Sequence, residues 1–304
     1  MFFRSDTRGA MLPPAFDDYV AEARPYRELW RLGLGLGLVL LMQAGFIALM
    51  LAAAFPAVGP AAFLPWMEDL SLPDAPGDVL FLLAGFIGMG GAVLIVAPAC
   101  HFRGPGSLVG PARAVLRGFW VALVRLVPIY GAVFALGWVF APPEANLPLA
   151  RWLGLVPLAL GLVFIQTTSE ELLFRGYLMQ QLAARFAARA VWMGVPALLF
   201  TALHFNPVAG GAMTLALMAP ILAFALAAAD LTVRSGNLGR AMGWHFVNNC
   251  YALLLLSIEG TITGLALYVT PYGLDDGTLP LLAIAANVLV VWLMWRVLRP
   301  GAAP

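Results

Sequence analysis

Three short polar motifs interrupt an otherwise strongly apolar stretch between Phe164 and Tyr251: Glu170-Glu171-x-x-x-Arg175, Phe200-x-x-x-His204 and His245-x-x-x-Asn249. Ionisable side chains are expensive in hydrocarbon, so inside a membrane span they mark a functional site by default. Glutamates, histidines and an asparagine brought together there are the parts of a hydrolytic site. A carboxylate can take a proton from water, and imidazole or amide groups can donate to an oxyanion.

Helix geometry divides the labour. Residues four apart share a face, so Glu171 and Arg175 are stacked and expected to form an ion pair. Glu170 lies about 100° around the helix and can point elsewhere. One carboxylate is then neutralised and structural, and the other is free to do chemistry. Phe200 and His204 share a face, as do His245 and Asn249, with Asn248 on the adjoining i+3 position. If the turn between the motif-bearing helices centres near Ala187, Glu170 and His204 each lie about 25 Å from it along antiparallel axes, at one level. His245 follows Arg240 closely and is expected to be shallower. A single Glu–Arg pair would serve equally well as helix glue, and a lone buried His or Asn as a satisfied hydrogen bonder. The presence of all three motifs in neighbouring apolar segments favours function.

The elements that must position these residues are membrane helices. Of 304 residues, 62% are hydrophobic and only 11% charged, against about 25% charged in an ordinary soluble domain. A span needs about 20 apolar residues. Candidates lie at about 32–54, 80–99, 118–140, 153–174, 191–206, 212–230, 241–258 and 279–297. The expected fold class is therefore all-α: a polytopic membrane helix bundle of about eight transmembrane helices.

Arginines segregate to alternate connections, including Arg4, Arg8, Arg24, Arg27, Arg31, Arg103, Arg113, Arg117, Arg185, Arg189, Arg234, Arg240, Arg296 and Arg299. The opposite connections hold Glu68, Asp69, Asp74, Asp78, Glu144, Glu259, Asp275 and Asp276, with Arg151 the sole arginine. By the positive-inside rule both termini are cytoplasmic. Residues 1–31 form a cytoplasmic or interfacial segment, with a surface-lying helix expected within 13–30. Residues 32–299 form one transmembrane domain with its catalytic core at about 160–255. The first apolar run is too long for a signal-peptide core and is expected to remain as a helix.

Other features carry less. The net charge of +1 argues against nucleic acid as a partner. Cys100 and Cys250 have no CxxC spacing and are expected to be free thiols. Gly33, Gly35 and Gly37, like Gly85, Gly88, Gly90 and Gly91, suggest close helix packing. Arg125, set into the third span, would snorkel to the cytoplasmic face or bind a substrate carboxylate. His101 falls in a Gly/Pro-rich connection away from the motifs. The chain contains no HExxH and no GxSxG.

The ordered motif set resembles that of the CPBP intramembrane proteases, the family of the CAAX prenyl protease 2 type and the lysostaphin-resistance protein A-like proteins. The resemblance covers about residues 160–255. It implies a cell-membrane, multi-pass endopeptidase that cleaves peptide bonds in membrane-associated or lipidated (CAAX-type) protein substrates. By that resemblance Glu170 activates the attacking water with help from His204, and His245 and Asn249 stabilise the oxyanion. Glu171 and Arg175 brace the helix, Phe200 packs behind His204, and Asn248 supports the third motif. The family is labelled metalloprotease, and His204, His245 and Glu170 would suit Zn2+ with an open position for water. The same groups would also work with no metal, and both routes stay open at this point. The competing reading is a catalytically silent membrane scaffold or regulator of the same family. A small proton-coupled transporter is a more distant one.

Overall fold

A computed structural model describes residues 12–205, 211–273 and 281–300. Arg4, Arg8, Asp275 and Asp276 of the expected charge pattern lie outside the described residues. A short helix α1 (Pro14–Val20) precedes three long apolar ones, α2 (Leu29–Val58), α4 (Pro76–His101) and α6 (Ala112–Phe140), joined by the short α3 (Pro60–Asp69) and α5 (Gly106–Val109). Helix α7 (Leu149–Glu171) passes through a π-helical turn (Leu172–Leu178) into α8 (Met179–Arg185) without a break. A second π turn (Ala190–Gly194) opens α9 (Val195–Ala202), and α10 (Gly211–Ser235) follows. Helix α11 (Gly239–Cys250) ends in a third π turn (Tyr251–Leu255), and α12 (Leu281–Leu298) is last.

Among the described residues, five helices are long and apolar enough to cross a bilayer: Leu29–Val58, Pro76–His101, Ala112–Phe140, the 37-residue run Leu149–Arg185, and Leu217–Ser235. The other three expected spans are the shorter helices α9, α11 and α12, so the count of clear crossings is lower than the eight read from apolar runs. Leu40, Leu41, Val124 and Val139 are each about two-thirds or more exposed, as side chains facing lipid would be.

The bundle is not purely helical. A three-stranded sheet of order β1-β3-β2 joins β1 (Glu144–Ala145), antiparallel, and β2 (Leu256–Glu259), parallel, to β3 (Tyr268–Gly273). It ties the α6–α7 connection to the chain leaving α11. Asn146 Nδ2 donates to Thr263 and Ala266 carbonyls at 2.9 and 2.8 Å, and Trp152 Nε1 donates to Leu254 O at 2.8 Å. These bonds hold the start of α7 against the end of α11, the two helices that carry the first and third motifs.

Several local expectations change. Helix α1 packs against the bundle: Phe16 is buried and stacks on Trp192 at 5.1 Å. The turn from α10 to α11 needs Gly236, whose φ is +64 and whose absent Cβ leaves room for Ala15 O. Gly33 and Gly37 approach nothing within 4 Å, whereas Gly35 receives the Tyr177 hydroxyl. Their GxxxG spacing is therefore not a packing seam; the close approach falls on the glycine between. Arg125 is exposed and reaches the end of α12. Its NH1 donates to Val297 O at 2.7 Å, capping the carbonyl end of α12 beside Arg240, which donates to Leu298 O. His101 is buried, with Nδ1 2.9 Å from Tyr26 O and Nε2 2.7 Å from the Tyr177 hydroxyl.

Candidate active site

The glutamate pair sits where α7 gives way to its π turn. Such wide turns frequently accompany functional sites, because the extra residue re-aims the side chains around it. Glu171 is fully buried and its Oε1 receives Arg175 NH1 at 3.0 Å. Arg175 NH2 donates to Ala225 O of α10 at 3.3 Å. The guanidinium also lies over the Phe200 ring at 4.6 Å and near Phe224 at 5.8 Å. One buried cation thus ties α7, α9 and α10 together. Its charge is matched by the Glu171 carboxylate, as a desolvated ion requires.

Helix α11 delivers His245 to both carboxylates. Nδ1 is 2.9 Å from Glu171 Oε1 and Nε2 is 3.3 Å from Glu170 Oε2. Glu171, already bound to Arg175, can only accept, so Nδ1 carries the proton and Nε2 is turned to Glu170. Phe200 and Phe224 meet the imidazole edge-on, at 5.8 and 5.1 Å, and hold its plane.

Gln166 and Tyr130 are site residues that the motif reading does not contain. Gln166 is buried one turn before Glu170. Its Nε2 donates to Glu170 Oε2 at 2.8 Å, while its Oε1 accepts Asn249 Nδ2 at 2.8 Å. Asn248 Nδ2 donates to Asn249 Oδ1 at 3.2 Å, and the Tyr130 hydroxyl of α6 donates to Asn248 Oδ1 at 2.7 Å. The available signal was Gln166 itself: a polar residue in an apolar span, on the face of Glu170 by the i,i+4 rule. Glu170 Oε1 takes no hydrogen bond from the described residues, and the Glu170 side chain is 9% exposed. Glu171 Oε2, by contrast, is sealed.

The expected residues are not all gathered equally. Glu170, Glu171, Arg175, His245, Asn248 and Asn249 form one connected network. His204 is exposed at the end of α9, with Nδ1 2.8 Å from Phe200 O. The Phe200 ring touches both imidazoles, at 4.6 Å from His204 and 5.8 Å from His245. His204 therefore joins the site through Phe200, while His245 is the imidazole beside Glu170. Among the described residues no three His, Cys, Asp or Glu side chains converge to hold a metal ion. The set His204, His245 and Glu170 is not assembled as ligands. Both ring nitrogens of His245 face carboxylates, so the residues as placed do not fit a zinc centre.

Comparison with curated proteins and with solved structures finds no match for the chain. The chain is a multi-pass membrane protein, and its residues 152–251, which hold all three motifs, match the family model described as Type II CAAX prenyl endopeptidase Rce1-like, in agreement with a CPBP family protease.

Proposed function

We propose that this protein is an intramembrane endopeptidase whose general base is Glu170, acting on membrane-associated or lipidated, CAAX-type, protein tails. The observation that carries this reading is the division of the glutamate pair. Glu171 is neutralised by Arg175 and orients His245, whereas Glu170 has no arginine partner among the described residues and has an imidazole nitrogen 3.3 Å from Oε2. That division matches what the reaction needs.

A water at Glu170 Oε1 loses a proton to the carboxylate as its oxygen attacks the scissile carbonyl. The C–N bond then breaks, and the proton passes to the leaving amine from Glu170, directly or through His245 Nε2. Asn249 Nδ2 carries two hydrogens and gives one to Gln166, which leaves the other for the oxyanion. His204, across the Phe200 ring, faces the substrate side as a second donor. No step in this scheme is routed through a metal. The arginine segregation further supports eight crossings with both termini cytoplasmic, the three shorter helices included.

The test is hydrolysis of a lipidated peptide by purified protein in liposomes. Glu170→Gln keeps the size and the hydrogen bond from Gln166 but removes the base. General-base loss typically costs about 10²–10⁴ in rate, and that loss is expected in kcat. Cleavage by Glu170→Gln at the wild-type rate would instead rule out Glu170 as the base, and no cleavage by either protein would favour the scaffold reading of the chain.

A further inference from the structure

Building on Glu170 as the base, we infer that Tyr130, Asn248, Asn249 and Gln166 form one directional hydrogen-bond chain that ends on the Glu170 carboxylate, with Gln166 as the positioning residue that sets the base against the oxyanion donor.

The direction is fixed from the carboxylate end. An ionised carboxylate only accepts, so Gln166 must present its Nε2 to Glu170 Oε2, at 2.8 Å. That turns Gln166 Oε1 toward α11, where it requires a donor, and Asn249 Nδ2 supplies one at 2.8 Å. Asn249 Oδ1 is then left facing Asn248, which must answer with Nδ2, at 3.2 Å. Asn248 Oδ1 in turn needs a hydroxyl or N–H, and the Tyr130 hydroxyl meets it at 2.7 Å. No amide can flip without setting oxygen against oxygen or nitrogen against nitrogen.

All four bonds therefore donate toward Glu170. Hydrogen bonds in series polarise one another by about 10–30% per bond in a low-dielectric interior. Three amides that merely satisfied one another would have no need of a common direction or of a terminal phenol from a third helix. Gln166 also links the carboxylate that takes the proton to the amide that faces the oxyanion, and so fixes their separation. A misplacement of about 1 Å at such a pair can cost about 10²-fold in rate.

The experiment is a double-mutant cycle on purified protein in liposomes, with Glu170→Gln as the reference for the base. Gln166→Met preserves volume and removes both amide bonds. It is expected to lower kcat by about tenfold or more, with KM within about twofold. Tyr130→Phe removes only the distant hydroxyl and is expected to lower kcat by about twofold to tenfold, as the loss of one hydrogen bond would. In the Gln166→Met background Tyr130→Phe should cost nothing further, because the chain is already cut. Independent, multiplying effects, or a Gln166→Met variant whose loss lies wholly in KM, would overturn the chain.

If neither the wild type nor Glu170→Gln cleaves, the endopeptidase reading fails, and the chain is then read without turnover. Isotope-edited infrared spectra identify the Glu170 carboxylate band as the one absent in Glu170→Gln. Both Gln166→Met and Tyr130→Phe should shift that band. A band unmoved by either variant contradicts the inference. Tyr130→Phe leaves the ring packing on Tyr251, 5.0 Å away, in place, so the test does not depend on Gln166→Met folding well.

Discussion

Arg175 and Glu171 are a charged pair buried in the interior, and Glu171 also meets the His245 ring. The pair is fully desolvated, so removing one member leaves the other without its counter-charge. Such losses typically cost about 3–5 kcal/mol. Arg175→Met and Glu171→Gln are each expected to lose that much in unfolding measured in detergent micelles, and the double variant less than the sum. Additive losses would contradict the pairing.

The motif residues were legible because i,i+4 spacing on a helix fixes which side chains share a face. Gln166 and Tyr130 were not, because their part depends on partners from other helices that spacing within one helix cannot reveal. His204 illustrates the same limit. Equal distance from a turn put it level with Glu170, whereas the structure sets His245 3.3 Å from that carboxylate. The zinc question follows from this placement. With His245 bonded to both carboxylates, metal chelators are expected to leave hydrolysis unchanged. One stoichiometric zinc on active protein, lost together with activity, would contradict this.

At the scale of elements, the site depends on how closely α11 can lie against α6. A Cβ at Gly243 would meet Phe119 O and Ala122 Cβ, each at 2.7 Å. The carbonyl cannot yield, so Gly243→Val must push α11 outward, carrying His245, Asn248 and Asn249 from α7. A fall in kcat of about tenfold or more is expected, with the protein still inserted. Gly91→Ala, which meets nothing within 4 Å, should leave activity near wild type and serves as the control; equal losses in both would contradict the packing argument. The long helices were readable as apolar runs. The sheet was not, because β1 is two residues long and shows no alternation. Nor were the π turns, since in uniformly apolar sequence a wider turn leaves no mark on periodicity.

For the whole molecule, arginine segregation and apolar length together describe a bundle that only a bilayer can complete. Its outward leucines and valines need lipid, and Glu170, Glu171, Arg175, His245, Asn248 and Asn249 join in one interior network. Fold and chemistry meet in residues 152–251, where the family match and all three motifs coincide. The measurement that bears most directly on the central claim compares protein termini, by mass spectrometry, in cells making wild type or Glu170→Gln at matched levels. The account predicts new termini, at sites in membrane-associated proteins, that appear only with Glu170 intact. The same termini at the same abundance in both would contradict it.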